Sequence, residues 1–195
     1  MGEMKERMLR GELYIADDPE LTADYERSQE LLVRFNATGA TDAEERARLL
    51  RSLLGDVGED VVIRPPLRCD YGGYVSVGAG TFINFGCVLL DVAPIRIGAA
   101  CQIATRVQLL TATHPIDPHP RRLGWEYAEP ITIGDNVWLG GGVIVCPGVS
   151  IGDDTVVGAG AVVTRDLPAG VVAMGNPARV HRRISERDAV QIPER

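Results

Sequence analysis

The first candidate for chemistry in this chain is His114. It lies between Thr113 and Pro115, and the proline disfavours a helix at this position and holds the histidine extended. A neutral imidazole can accept a proton from a hydroxyl group, which avoids full ionisation of a very weak acid. The alternative is an ordinary solvated loop histidine, and the residue type alone leaves both open.

The other histidines and the cysteines give weaker signals. We interpret His119 and His181 as surface residues, and a lone histidine cannot fill a zinc shell, so no metal site is predicted. The cysteines form no CxxC pair, and we interpret them as free thiols packed as small hydrophobic residues. These are Cys69, Cys87, Cys101 and Cys146.

The element that must position these groups is a repeat with a period of six residues. An aliphatic residue recurs at Ile133, Leu139, Val145, Ile151, Val157 and Val163. Small or apolar residues follow at Val137, Val143, Val149, Thr155, Ala161 and Leu167. This period fits neither a helix nor an ordinary strand. It predicts a mainly β protein, a parallel β-helix in which three units complete one triangular coil.

The same ladder appears earlier, with interruptions. Its residues are Val77, Ile83 and Leu89, then Ile97, Ile103 and Leu109, and two extra residues near 91–94 shift the frame. About five coils are expected. The ladder stops between Thr113 and Pro130, which predicts a loop extruded from the coil, and long loops of this kind are usually functional or disordered.

Helical patterns precede the repeats. Asp18 and Pro19 are typical of an N-cap and of the first residue of a helix, which predicts a helix over 19–36. Thr41 to Glu44 read as a capping box, which predicts a second helix over 42–54. We therefore expect a helical segment at 1–57, a β-helix domain at 58–184 with the loop at 113–130, and a tail at 185–195.

The bulk composition narrows the class of protein. The chain has 195 residues, of which 45% are hydrophobic and 5% aromatic, and a net charge of -7. Scarce aromatic residues suit a narrow solenoid interior, and the negative charge argues against nucleic acid as a partner. The charged first residues predict neither a secretory signal nor a membrane anchor, so we expect a cytoplasmic enzyme.

Six motifs carry a resemblance to a known family. They are CDYG (69–72), INFG (83–86), LDVAPIRIG (90–98), TATHPID (111–117), ITIGDNVWLGGG (131–142) and GNPAR (175–179). Together they resemble the hexapeptide-repeat sugar O-acetyltransferases, the family of maltose and galactoside acetyltransferases. The resemblance covers nearly the whole chain. It implies a left-handed coil, a homotrimer with active sites shared between subunits, and acetyl-CoA as donor.

The resemblance also implies roles for individual residues. His114 matches the general base, and Asn84 matches a position that stabilises the oxyanion or holds the acceptor hydroxyl. The backbone amide of Gly141 matches a contact to the thioester arm. Asp70 and Asp91 would bind the acceptor, because carboxylates accept paired hydrogen bonds from sugar hydroxyls. For both aspartates the alternative is a carboxylate that caps a coil corner.

Coenzyme A needs a groove for its pantetheine arm and cations near its phosphates. By resemblance, Ala159 and Thr164 line the arm, and three arginines lie near the nucleotide: Arg165, Arg179 and Arg182. Trp138 flanks the groove or packs at the seam of the trimer. For the arginines, a solvated basic tail is the alternative.

The acceptor expected from the resemblance is a glucose-type sugar such as maltose. Galactoside-type members have serine where this chain has Asp70, and a second acidic residue where it has Val92. We expect direct transfer in a ternary complex without an acyl-enzyme, because Cys146 has no neighbouring histidine. The alternatives are another acceptor, such as an oligosaccharide, serine or chloramphenicol, or a trimeric scaffold without catalytic activity.

Overall fold

The six-residue period forms a three-sided parallel β-helix in the computed structural model, which describes residues 2–193. Strands are numbered in chain order. The first face contains β1 (Asp56–Val57), β4 (Val75–Val77), β7 (Ile95–Ile97), β12 (Ile131–Ile133) and β15 (Ser150–Ile151). The third face contains β3 (Leu67–Cys69), β6 (Cys87–Leu90), β9 (Gln108–Leu110), β14 (Ile144–Val145) and β17 (Val162–Val163).

The second face is the longest. It contains β2 (Val62–Ile63), β5 (Phe82–Ile83), β8 (Gln102–Ile103), β13 (Trp138–Leu139), β16 (Val156–Val157), β18 (Val171–Met174) and the antiparallel β19 (Arg179–Arg183). Each coil gives one strand to each face, so the chain completes five coils. A sixth begins at Leu167, which bridges Ile151 on the first face, and continues with β18 on the second. The expected number of coils is confirmed.

The predicted ladder residues stack in register inside the coil. Ile97 pairs with Ile133, and Ile133 pairs with Ile151. Their side chains are buried, as are those at the fifth position of each unit. Thr155 is the polar exception in the second set, and its hydroxyl donates to the Pro168 carbonyl at 2.8 Å. The interior is therefore a column of aliphatic side chains, with its polar group satisfied locally.

Three corners connect the faces of each coil. The first joins face one to face two, the second joins face two to face three, and the third leads to the next coil. Extra residues collect at the third corner. Inward residues are eight positions apart from Cys69 to Val77 and again from Leu89 to Ile97, instead of six. The predicted insertion near 91–94 is therefore confirmed, and the coil before it carries a similar one.

The predicted loop at 113–130 leaves from the third corner of the third coil. It is framed by an antiparallel pair, β10 (Ala112–Thr113) and β11 (Tyr127–Ala128), and contains a short helix, α4 (Pro118–Arg122). The loop is therefore ordered at its base. Its outer part is exposed, and the Ile116 side chain is 93% exposed.

Three helices precede the coil: α1 (Glu3–Leu9), α2 (Pro19–Asn36) and α3 (Ala43–Leu53). The Asp18 cap is confirmed, because its carboxylate accepts from the Glu20 N–H at 2.9 Å. The capping box is wrong. Asp42 is the N-cap of α3 and makes no capping bond, since its carboxylate accepts from the Gly39 N–H at 2.7 Å. The helix α1 was not predicted.

Two further predictions concern boundaries and location. Strand β1 already belongs to the first face, while the domain divisions at 57 and 184 stay predictions, and residues 194 and 195 of the tail lie outside the described part. Within residues 2–193, no helix has the length and apolar character needed to cross a lipid bilayer.

The close approach of coils at the first corner yields a stability prediction. A Cβ added at Gly78 would lie 2.5 Å from the Ala99 nitrogen and 2.6 Å from the Gly98 carbonyl carbon, both backbone atoms that cannot turn away. We expect Gly78→Ala to lower the free energy of unfolding by about 1–3 kcal/mol, measured by thermal unfolding. Gly73→Ala is the control, because its Cβ would meet nothing within 4 Å. Equal Tm values for the two variants would contradict this packing.

Candidate active site

A cavity of about 430 Å³ opens at the third corner, where the extra residues collect. The coil contributes Asp70, Tyr71, Leu90, Val92 and Ala112, and the loop contributes Glu126. The remaining wall comes from the N-terminal segment and α2: Ala16, Leu21, Thr22 and Tyr25. The volume is in the range of small-molecule sites, and the lining combines aromatic and aliphatic walls with two carboxylates.

Asp91 binds the backbone of this corner from the buried side. Its carboxylate is fully buried and accepts backbone N–H groups of Asp70 at 3.0 Å, Tyr71 at 3.0 Å and Tyr74 at 3.2 Å. Burial raises its pKa, and the backbone N–H groups oppose that shift. The prediction that Asp91 contacts the acceptor directly is therefore corrected. Its oxygens are occupied, and it caps the corner that presents Asp70.

Asp70 is one of the two carboxylates at this cavity. Its side chain lines the cavity, and no group in residues 2–193 donates a hydrogen bond to its carboxylate. Burial, followed by the charges of Asp91 and Glu126, raises the pKa of Asp70 to about 6. A partly desolvated carboxylate without a partner is a group whose hydrogen bonds a ligand can supply.

Asn84 lies at the second corner, directly after β5. Its Oδ1 accepts from the Phe85 N–H at 2.9 Å, which fixes the amide and leaves Nδ2 without a partner in the described part of the chain. It lines a shallow cleft of about 150 Å³ together with Phe82, Gln102 and Trp138. The amide can therefore donate to an oxygen that enters this cleft.

A column of small residues rises along the second corner above Asn84. Gly141 and Ala159 lie in successive coils, and the Gly160 N–H donates to the Gly141 carbonyl at 2.9 Å. A Cβ at Gly141 would meet only Thr105, at an ordinary 3.5 Å, so packing within the chain does not require glycine there. Its own N–H has no partner in residues 2–193. Both facts suit an extended ligand that approaches the backbone closely.

Face two carries the predicted Trp138 and two of the arginines. Trp138 is 55% exposed, which fits either a groove or a subunit seam. Arg182 is already paired, because its guanidinium donates two 2.7 Å bonds to Asp188 and lowers the pKa of that carboxyl to about 2. Arg179 is exposed and donates to the Ala178 carbonyl at 2.8 Å. Of the two, Arg179 has the more available charge.

His114 is exposed on the loop that leaves the third corner, and Thr164 and Arg165 are exposed at the same corner in the fifth coil. The predicted site residues thus fall into two groups. The third corner holds Asp70, Asp91, His114, Thr164 and Arg165. The second corner and its face hold Asn84, Trp138, Gly141, Ala159, Arg179 and Arg182. His114 and Asn84 therefore lie at different corners of one chain.

The sequence did not point to three cavity residues: Tyr25, Tyr71 and Glu126. Tyr71 could have been found, because it follows Asp70 within one of the eight-residue intervals. Glu126 lies in the loop without any periodic signal. Within residues 2–193, no three histidine, cysteine, aspartate or glutamate side chains lie together as ligands for a metal ion.

Two family models match the chain. The "Maltose acetyltransferase hexapeptide capping motif" matches residues 7–58, and "Bacterial transferase hexapeptide (six repeats)" matches residues 130–165. Nodulation protein L of Rhizobium meliloti (strain 1021) is 52% identical over 176 residues, which cover 90% of this chain and 96% of that protein.

Solved structures agree with these matches. A maltose O-acetyltransferase from Clostridium difficile 630 has a TM-score of 0.92 at 47% identity, over 94% of this chain and 98% of that one. A galactoside acetyltransferase in complex with coenzyme A has a TM-score of 0.93 at 37% identity, over 96% and 94%.

The chain belongs to the hexapeptide-repeat sugar O-acetyltransferases. The resemblance seen in the motifs is confirmed, and so are the left-handed coil and the class of enzyme, an acetyl-CoA-dependent O-acetyltransferase. The names of the similar proteins include both a maltose and a galactoside enzyme, so the comparisons do not fix the acceptor of this acetyltransferase.

The raised pKa of Asp70 in the acetyltransferase yields a test. Its carboxyl is ionised above about pH 6 in the folded protein, against an ordinary value of 3.8. Because the folded state holds this proton more tightly than the unfolded chain, protonation favours folding at low pH, and this contribution is lost as the pH rises through 6. We expect Asp70→Asn to raise Tm over wild type at pH 8, with the difference shrinking toward zero near pH 4. The same difference at both pH values would contradict the assignment.

Proposed function

We propose that this enzyme transfers the acetyl group of acetyl-CoA to a hydroxyl of a glucose-type sugar such as maltose. The observation that carries this proposal is the cavity at the third corner, where Asp70 presents an unpartnered carboxylate between apolar and aromatic walls. Carboxylates accept hydrogen bonds from vicinal sugar hydroxyls. The 47% identity to a maltose O-acetyltransferase supports the same acceptor.

In the proposed reaction, His114 accepts the proton of the acceptor hydroxyl while that oxygen attacks the thioester carbonyl. The Asn84 amide donates to the oxyanion or holds the attacking hydroxyl, and either role places it beside the reacting carbonyl. The backbone N–H of Gly141 contacts the thioester arm. When the intermediate collapses, the C–S bond breaks and the His114 imidazolium returns the proton to the departing sulfur. The products are the acetyl ester and free coenzyme A.

Direct transfer fits the state of the thiols. Cys146 is half-buried, and burial raises the pKa of its thiol, which lowers the fraction of thiolate at neutral pH. The other cysteines are buried within the coil. An acyl-enzyme therefore has no suitable nucleophile among them, and radiolabelled acetyl retained on the protein without acceptor would contradict direct transfer.

The active site is proposed to form between chains of a homotrimer. His114 and Asn84 lie at different corners of one chain. A neighbouring chain must therefore place its second corner, which carries Asn84, beside the third corner that carries His114 of the first chain. Face two supports this assembly, because it exposes the large side chains of Val62 and Trp138 in one row of strands. A closed ring of three chains gives three identical sites.

The pantetheine arm is proposed to follow the second corner past Gly141 and Ala159, with Thr164 of the neighbouring chain on the other side. Arg165 and Arg179 would meet the phosphates. Arg182 is expected to contribute less, because Asp188 already neutralises its charge.

The test is release of coenzyme A thiol from acetyl-CoA with glucose, maltose, galactosides, chitin oligomers, serine or chloramphenicol as acceptor. We expect turnover on glucose-type sugars, and a decrease in kcat of about 10²–10⁴-fold in His114→Ala, because a general base contributes about that much. His119→Ala, in the same loop, is the control and should keep wild-type activity.

Turnover only on serine or chloramphenicol would overturn the sugar acceptor. If the protein binds acetyl-CoA but releases no thiol with any acceptor, the result would support a scaffold without catalytic activity. Wild-type activity in His114→Ala would contradict the assignment of the base.

A further inference from the structure

Glu126 is the cavity residue whose position is fixed by a part of the chain far from it in sequence. The Tyr14 N–H donates to the Glu126 carbonyl at 2.9 Å, and the Glu126 N–H donates to the Tyr14 carbonyl at 3.0 Å. This antiparallel bridge joins the N-terminal segment to the loop that carries His114. The Glu126 side chain points into the same cavity as Asp70.

A second contact holds the loop beside this bridge. The Arg7 guanidinium lies 5.7 Å from the centre of the Trp125 ring, within range of a cation–π interaction. The Arg7 Nε–H also donates to the Leu13 carbonyl at 2.6 Å, so α1 and the segment that follows it are tied together. The backbone at 125–126 is therefore held from two sides, and Glu126 does not share the exposure of the outer loop.

The Tyr14 side chain is fully buried in a small cluster with Met8, Leu21 and Tyr71. Its hydroxyl is a buried polar atom that has no hydrogen-bond partner in the described part of the chain. Such groups are uncommon and call for an explanation. The Glu126 carboxylate is the natural partner, because residues directly opposite each other in an antiparallel bridge carry their side chains on the same side. After burial, the charge of Glu126 is also the largest cause of the raised pKa of the Tyr14 phenol.

The lining of the cavity is negatively charged. Asp70 and Glu126 both line it, the charge of Glu126 adds to the rise in the pKa of Asp70, and the lining contributed by residues 2–193 contains no lysine, arginine or histidine. Two carboxylates without a protein cation can be satisfied by a ligand that offers several donors. A polyhydroxyl acceptor does this, because each carboxylate oxygen accepts from a separate hydroxyl.

We propose that Glu126 is a further acceptor-binding residue, which acts with Asp70, and that the Tyr14 hydroxyl is a positioning group that donates to the Glu126 carboxylate when the acceptor is bound. This inference rests on the proposed function, since it takes the cavity at the third corner as the acceptor site. The bridge to Tyr14 sets where the loop crosses the cavity, and the buried hydroxyl sets where the carboxylate points.

The experiment is steady-state kinetics of the full-length enzyme with maltose, or with the best sugar of the acceptor panel, for Glu126→Gln, Tyr14→Phe and the double variant. We expect Glu126→Gln to raise the acceptor KM by about tenfold or more, because hydrogen bonds to a charged group are lost. The KM for acetyl-CoA should not change. Glu129→Gln, an exposed glutamate of the same loop outside the cavity lining, is the matched control and should match wild type.

Tyr14→Phe should raise the acceptor KM severalfold in the same direction, and it should have no further effect in the Glu126→Gln background, because the hydroxyl acts through that carboxylate. A merely structural role of Tyr14 would leave the acceptor KM unchanged in both backgrounds and would change only the Tm.

The role of Glu126, the role of Tyr14 and the proposed function are each contradicted by a different result. An unchanged acceptor KM in Glu126→Gln, in an enzyme active on sugars, overturns the role of Glu126. A Tyr14→Phe variant with a higher Tm and an unchanged acceptor KM overturns the positioning role, because removing an unpartnered buried hydroxyl is then simply favourable. Wild-type enzyme without turnover on any sugar overturns the proposed function itself, independently of both variants.

Discussion

Backbone hydrogen bonding between successive coils is the constraint on which the rest of the structure depends. Each strand pairs with the strand one coil above and one coil below, so the faces cannot accept insertions without breaking a ladder. Inserted residues are therefore confined to corners. In this chain they gather at the third corner of three successive coils, and the cavity with Asp70 and Glu126 lies there.

Where extra residues lengthen a corner, some backbone N–H groups have no carbonyl of a neighbouring coil to bind. These N–H groups need other hydrogen-bond acceptors. Asp91 supplies them for the corner above the first coil by accepting from three of these N–H groups, and Thr111 supplies one a coil later, where its hydroxyl accepts from the Ala93 N–H at 3.0 Å. These buried polar groups are costly unless fully bonded. Their hydrogen bonds fix the backbone of the corner that presents the Asp70 carboxylate to the cavity.

The features that could be predicted from the sequence are those that depend on short-range patterns of residues. The ladder is predicted because inward residues repeat every six positions without interruption from Ile133 to Val163, and α2 is predicted because Asp18 and Pro19 mark its start. The helix α1 was missed, since Met8 is its one buried residue. The roles of Asp91 and Arg182 could not be read from residue type, because their partners, backbone amides in one case and Asp188 in the other, are set by tertiary contacts. Glu126 was missed for the same reason, as its position comes from pairing with Tyr14.

In the proposed trimer, His114 and Asn84 lie on two corners of each chain and meet only between chains. The most direct test mixes His114→Ala and Asn84→Ala chains, each nearly inactive alone, by unfolding and refolding them together in equal amounts. If His114 of one chain works with Asn84 of the next, random mixing leaves about a quarter of the sites intact and restores about a quarter of wild-type activity. If mixed assemblies form, as shown by two affinity tags recovered together, and activity stays absent, the site lies within one chain, which contradicts a site shared between subunits.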